Sequence, residues 1–345
     1  MAPSVLSPAA APVIAPVDAL LKLGLGYMTS SALHVVVELA IADRLANGPR
    51  SVDQLAAESG ANADALYRVL RMLAAEGIFE EVAPGHFAQT PLSEPLKSGS
   101  PARHLIEWIA DPFHFKVYSE ALHTVQTGEP SAEAVTGLPV FDHMGRTPEL
   151  SEVFNNAMTA MSELVIPAVL EVYDFGSIDV LVDVAGGHGR VLTSVLKAYP
   201  KMRGVLYDLP YVVEGARPAI AELGLGHRCR AEGGDMFARV PESGDAYVLK
   251  HIIHDWDDRR AGAILDNIRQ AIGRRRGRVI LIETVVEPGN RPDLGKAIDY
   301  EMLLMTGGRE RTEAQFRSLL AASGFELTRV VKTASPLSVI EAESI

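Results

Sequence analysis

At 345 residues the chain is too long for one ordinary hydrophobic core and has room for two domains. With 48% hydrophobic and 22% charged residues it falls in the globular class, and no apolar run approaches the roughly 20 residues of a bilayer-spanning helix. A formal net charge of −12 opposes a nucleic-acid partner, and the single cysteine, Cys229, excludes an internal disulfide and fits a reducing cytoplasmic setting.

The start, MAPSVLSPAAAPVIAP, lacks the basic stretch and unbroken apolar core of a signal peptide; its Pro/Ala content predicts a disordered tail over residues 1–16. From Val17 to Ala46 apolar residues recur at helical spacing, with Leu20, Leu21, Leu23 and Leu25 in one segment and Leu33, Val36, Val37 and Leu39 in the next. That is more apolar surface than a small domain can bury alone, so a homodimer through these helices is expected. Ser51–Thr90 reads as a Ser-capped helix, a Gly60 turn, a helix through Leu66, Leu70 and Leu73, and two strands around a Pro84-Gly85 turn, the order of a winged helix-turn-helix. Its second helix sets only Arg68 and Arg71 against Asp64 and Glu76, which favours a structural or dimerising role over DNA reading. Residues 17–100 are therefore read as an N-terminal helical domain and residues 101–175 as a helical linker with pocket helices.

Beyond Gly176 short apolar runs alternate with helices: VLVDVA (Val180–Ala185), GVLYDL (Gly204–Leu209), AYVLK (Ala246–Lys250) and RVILIETVV (Arg278–Val286). The alternation predicts an α/β domain over residues 176–345 with a doubly wound, mostly parallel sheet. Phe325–Thr333 and Leu337–Glu343 are separated by only a Pro336 turn, too short for a parallel crossover, so the sheet should close on an antiparallel hairpin.

VLVDVAGGHGR is a strand, a glycine-rich turn and a helix start. Its small residues admit a ligand close to the backbone, but the Lys-Ser/Thr of a P-loop and the G-x-G-x-x-G spacing are both missing. Asp183 stands before the turn, Asp208 closes the next strand, roughly 20 residues beyond the turn as on a ribose diol, and Asp235 in GGDMF follows the third. Three acids at adjacent strand ends call for a ligand with a cation, a ribose and an adenine amine, which S-adenosylmethionine combines.

In DAYVLKHIIHDWDD (Asp245–Asp258) a strand runs into two histidines and three carboxylates. A metal reading would use His251 and His254 at i,i+3; against it, no cysteine is available and the adjacent acids suit helix caps. A base reading needs one histidine at the strand end with carboxylates delivered from elsewhere, and Glu283 and Glu310 are placed to supply them. A base with pKa near 7 could then take a proton at neutral pH. His254 is taken as that base, His251 as a packed neighbour, and no metal is expected.

DVAGGHG, YDLP, GGDMF, LKHIIHDW, LIETVVEP and GGRERTEAQFRSLLAASGF, in this order behind a winged helix, resemble the S-adenosylmethionine-dependent O-methyltransferases of the plant caffeate and isoflavone type and their bacterial secondary-metabolism relatives. The resemblance covers nearly the whole chain and implies a class I methyltransferase sheet, a homodimer, and a small aromatic (phenolic or polyketide-type) acceptor. It implies further that Asp208 holds the ribose, Asp235 and Met236 the adenine, and the Gly186–Gly189 turn, with Gly186 and Gly187 beside Asp183, the methionine end, and that Phe237, Lys250 and Ser162 also contact the cofactor. His254 would be the general base, oriented by Glu283 and Glu310. In FNNAMTAMSELV, Phe154, Met158 and Met161 share a helical face that either lines the acceptor pocket or is ordinary core; Asp255 and Met305 join the acceptor set. Two departures stand out: Ala185 replaces the first glycine of the turn, and Met305 stands where the plant enzymes have asparagine. The same fold and cofactor serving a hydroxylase or cyclase is the alternative function.

Overall fold

The computed structural model describes residues 16–345, so the tail expected over residues 1–16 lies outside the described residues except for Pro16, which opens the first helix. The described residues fall into two compact units, the first ending at Pro112 and the second Phe113–Ile345.

In the first unit the helices Pro16–Gly24 and Gly26–Glu38 precede the winged helix. Strand β1 (Arg50–Ser51) leads into the helix Val52–Ser59, which is started by a reciprocal capping box: Gln54 N–H donates to the Ser51 hydroxyl at 3.2 Å and Ser51 N–H to the Gln54 side chain at 3.1 Å. Gly60, at φ 74°, ends it, and Asn62 caps the helix Ala63–Ala75. Strands β2 (Phe79–Ala83) and β3 (His86–Gln89) form the wing, giving an antiparallel sheet in the order β1-β3-β2. Leu55, Leu66, Leu70, Leu73, Phe79 and Phe87 fill the core. The helix Pro101–Ile109, read from sequence as the start of the linker, packs here against Gly26–Glu38, with Arg103 donating to the Val37 carbonyl at 2.9 Å. Pro16–Glu38 and Pro148–Val172 have the length and apolarity of a membrane span, contrary to the reading that no run approaches one. The second, however, buries Val165, Ile166 and Val169 in the core of its unit. In the first, Val17, Leu20, Leu21 and Leu23 are exposed.

The second unit is built on a seven-stranded sheet. Its strands are β4 (Val180–Val184), β5 (Arg203–Asp208), β6 (Cys229–Gly233), β7 (Ala246–Lys250), β8 (Arg278–Glu283), β9 (Phe325–Lys332) and β10 (Ser338–Ser344), in the order β6-β5-β4-β7-β8-β10-β9. The first five are parallel and β10 runs antiparallel to both β8 and β9, the expected hairpin. The apolar runs are unbroken because both faces are covered: Leu181, Val248 and Ile280 enter one core, and Val182, Leu249 and Leu281 the other. Strand order reverses between β4 and β7, so the loops after their carboxyl ends diverge and leave a crevice at the topological switch point.

Candidate active site

The turn after β4 has Ala185, Gly187 and Gly189 at φ 54°, 57° and 75°. Ala185 therefore does more than add a methyl to a tolerant position. It holds left-handed backbone, which costs a side-chain-bearing residue about 1–2 kcal/mol. Gly186 cannot be replaced cheaply, since a Cβ there would stand 2.6 Å from both the Asp183 carboxyl carbon and Leu206. Asp183 lies under this turn, 1% exposed, accepting the Leu192 N–H at 3.2 Å. Burial pushes its pKa up to about 7, against the pull of the Leu192 N–H and the Lys250 charge.

Asp208, ending β5, accepts the N–H groups of Gly187 at 2.8 Å and Leu209 at 2.6 Å, and burial holds its pKa above the ordinary range. Asp235 accepts the Phe237 N–H at 2.8 Å. Lys250 closes β7, and its burial, opposed by Glu283, Asp183 and Asp255, lowers its pKa to about 8.

These groups open on one cavity of about 370 Å³, within the size range of small-molecule sites. Gly186, Gly187, Asp183, Asp208, Asp235 and Lys250 line it together with Met236 and Phe237. Phe154, Met158, Ser162 and Asp255 complete the predicted residues on its wall. The Ser162 hydroxyl is tied back to the Met158 carbonyl at 2.8 Å. Met161 does not reach the wall but packs against the core beneath the helix, and Met305, 3% exposed, is also absent from it.

His254 is 6% exposed and stands off the cavity wall, whereas His251 and Asp255 line it. Glu310 Oε1 lies 2.7 Å from His254 Nδ1, and Glu283 Oε2 3.9 Å from the same nitrogen. Glu283 Oε1 accepts the N–H groups of Ile252 at 3.0 Å and Ile253 at 2.9 Å, so one buried carboxylate shapes the histidine loop and flanks its ring. The loop carrying Glu310 is clamped to the same segment. The fully buried Arg311 donates to the carbonyls of Ile253 at 3.0 Å and Trp256 at 2.9 Å, and Arg309 N–H donates to the His254 carbonyl at 2.8 Å. Gly308 passes so close that a Cβ would overlap the His254 carbonyl oxygen.

Residues 118–326 match the O-methyltransferase domain family and residues 21–98 the O-methyltransferase dimerisation domain. The chain belongs to the O-methyltransferase family. The phenazine O-methyltransferase PhzM of Lysobacter antibioticus is 40% identical over 94% of this chain and 96% of that protein. The crystal structure of LaPhzM superposes with a TM-score of 0.90, covering 96% of this chain and all of the other at 40% identity. A neocarzinostatin-pathway O-methyltransferase, NcsB1, solved with S-adenosylmethionine and 2-hydroxy-5-methyl naphthoic acid, gives a TM-score of 0.81 at 30% identity over 92% of this chain and 96% of that one. The phenazine-1-carboxylate N-methyltransferase of Pseudomonas aeruginosa is 30% identical over 90% of this chain and 92% of its own. This O-methyltransferase-family chain is an S-adenosylmethionine-dependent methyltransferase with a class I sheet.

In this methyltransferase the histidine cluster departs electrostatically from the expected base near pH 7. Burial alone would lower the His254 pKa, but Glu283, then Asp255, then Glu310 outweigh it and push it up to about 10. Burial raises Asp255 to about 6 and Glu283 to about 7 despite the His254 charge. Donor atoms of His254, Glu283 and Glu310 lie within 4.8 Å of one another, close enough for a metal reading to be tested. At 2.7 Å, Nδ1 and Glu310 Oε1 are at hydrogen-bond distance, closer than the roughly 3.3 Å between two ligands on a tetrahedral ion with bonds of about 2.0 Å. The acid that caps the helix Asp258–Ile272 is Asp257, accepting the Arg260 N–H at 2.7 Å, which leaves Asp255 for the cavity.

Residues missed from sequence include Trp256, Phe141 and His251, all on the cavity wall. Trp256 meets Phe237 edge-on at 4.9 Å between ring centres, and the Arg260 guanidinium lies 4.0 Å above its ring. An aromatic immediately beyond a strand-end histidine and acid was the available signal.

Proposed function

We propose that the chain transfers a methyl group from S-adenosylmethionine to a hydroxyl of a small aromatic, phenolic or polyketide-type acceptor, with His254 as general base. The observation that carries this reading is the buried His254–Glu310 contact of 2.7 Å beside the cavity wall. Glu310 occupies Nδ1, so the proton-accepting atom is Nε2, 3.7 Å from Asp255 Oδ1. A histidine raised to about 10 matches a phenol of pKa about 10, so the proton moves to it without an uphill step. In return, the free site holds a proton of its own at neutral pH and sheds it before the acceptor's is taken.

Asp208 suits the ribose hydroxyls, Asp235 with Met236 and Phe237 the adenine, and the Gly186–Gly187 turn over Asp183 the methionine end, with Lys250 and Ser162 beside them. When bound, the cofactor supplies a sulfonium methyl electrophile. The chain supplies alignment and a dry wall of Phe154, Met158 and Trp256 against which a flat acceptor packs. Relatives named for phenazine and crystallised with a naphthoic acid support an aromatic acceptor, and products of that kind support a place in secondary metabolism. Transfer to nitrogen is the second reading, favoured by the P. aeruginosa relative; the buried His254–Glu310 pair supports oxygen, since a hydroxyl needs its proton removed. The dimerisation domain and the exposed Val17, Leu20, Leu21 and Leu23 support a homodimer.

The test is incubation of the full chain with S-adenosylmethionine and a panel of phenols, catechols, hydroxyquinones and matched aryl amines, reading product mass and chelator sensitivity. O-methylated product insensitive to chelator is expected. Methylation of amines alone, or an oxidised product without a methyl, would replace this reading.

A further inference from the structure

His251, the residue directly after β7, carries a feature that packing does not require. Lys250 and His251 both line the cavity, although adjacent residues of a continuing strand point to opposite faces. The alternation is broken by backbone geometry: His251 has φ 54°, the left-handed region that side-chain-bearing residues avoid. The peptide groups on either side of its Cα hold it there. His251 N–H donates to the Ile282 carbonyl at 3.2 Å, and the next two N–H groups converge on Glu283 Oε1 at 3.0 and 2.9 Å. A disfavoured conformation fixed from both sides and aimed into a cavity is the pattern of a functional position.

The His251 ring stacks on that of His254, with centroids 4.8 Å apart and planes at 17°. Among the described residues neither of its ring nitrogens has a hydrogen-bond partner, whereas His254 Nδ1 is taken by Glu310. Burial, Lys250 and His254 hold the His251 pKa well below its ordinary value, so this residue of the cavity wall carries a neutral ring with one N–H and one bare nitrogen. Resting on the methyl-transfer reading above, we propose that His251 hydrogen-bonds a second heteroatom of the acceptor and thereby selects aromatic acceptors carrying a hydroxyl or carbonyl ortho or peri to the hydroxyl that is methylated. Adjacency follows from the stack: two rings one stacking step apart serve neighbouring positions on one flat molecule.

The experiment measures binding, so that it does not depend on turnover. Dissociation constants of 2,3-dihydroxynaphthalene and 2-naphthol are determined calorimetrically for the full-length protein saturated with S-adenosylhomocysteine. Wild type should favour the diol by about tenfold. His251→Phe keeps a ring for the stack but no hydrogen bond, and should reduce that preference to twofold or less. His251→Asn tolerates left-handed backbone and keeps a donor and an acceptor, so it should restore most of the preference. S-adenosylhomocysteine affinity, measured alongside, should be unchanged in both and reports a folded site. No preference in wild type, an undiminished preference in His251→Phe with normal cofactor affinity, or binding of neither compound would overturn the proposal. His251-dependent binding without methyl transfer would count against the function proposed above and leave this assignment standing.

Discussion

Glu283→Gln removes one charge from the histidine cluster while keeping an oxygen for the Ile252 and Ile253 N–H groups, and it should bring the His254 pKa down by about 1–3 units. Glu283 is fully buried, its Oε2 lies 3.9 Å from His254 Nδ1, and its charge is the largest influence raising that histidine. Two unit charges about 4 Å apart interact by roughly 4 kcal/mol at an effective dielectric constant of 20, and 1.36 kcal/mol corresponds to one unit. The ceiling is thus near 3 units, and relaxation of the loop reduces it. His254 should titrate near 10 in the wild type and between about 7 and 9 in the variant. The assay is an NMR titration of histidine ring carbons in labelled protein, with the His254 signal identified by its loss in His254→Gln. A folded Glu283→Gln protein whose His254 midpoint stays within half a unit of wild type would refute the electrostatic account of the cluster.

Gly308→Ala should be severely destabilising, by about 3 kcal/mol or more in a denaturant titration, because its Cβ would overlap the His254 carbonyl oxygen and the loop is pinned there by Arg309 and Arg311. Asp183→Asn should unfold at a higher temperature than wild type at pH 8 in the cofactor-free protein, with the gap closing below pH 5. The sign follows from the Asp183 pKa, raised by burial to about 7: its protonated form fits the folded site, so wild type loses stability as pH rises from about 4 through 7, while asparagine keeps the neutral form. Equal melting temperatures at pH 8 would remove the buried charge from Asp183.

The sheet was legible in the sequence because strands covered on both faces are written as unbroken apolar runs, and its antiparallel end because the Pro336 turn leaves no room for a crossover. The three acids and the glycine turn were legible for a related reason, since the ends of parallel strands converge on one crevice. Other features depend on contacts that spacing does not encode. Pro101–Ile109 reads as any amphipathic helix, and its attachment to the first unit rests on partners such as Val37 and Asp43, some 60 residues upstream. Met161 shares a helical face with Met158, but that face is divided between cavity and core. The high His254 pKa comes from three carboxylates that outweigh burial, and one of them, Asp255, is indistinguishable by spacing from the helix cap that Asp257 supplies. The exposure of His251 to the cavity comes from one left-handed residue, a conformation histidine does not announce.

Base catalysis by His254 is tested most directly by single-turnover methyl transfer to a simple phenolic acceptor, 2-naphthol, in wild type and His254→Gln across pH 6–11. The variant should bind S-adenosylhomocysteine as tightly as wild type and react at least about tenfold more slowly near pH 7.5, short of the roughly 10²–10⁴-fold of a fully deprotonated base because His254 holds its proton there. The wild-type rate should climb toward pH 10 as His254 gives up its own proton, and the deficit of the variant should shrink as the acceptor ionises near pH 10. A few-fold loss of the same size at every pH would contradict the account and leave proximity, without a base, as the source of the rate.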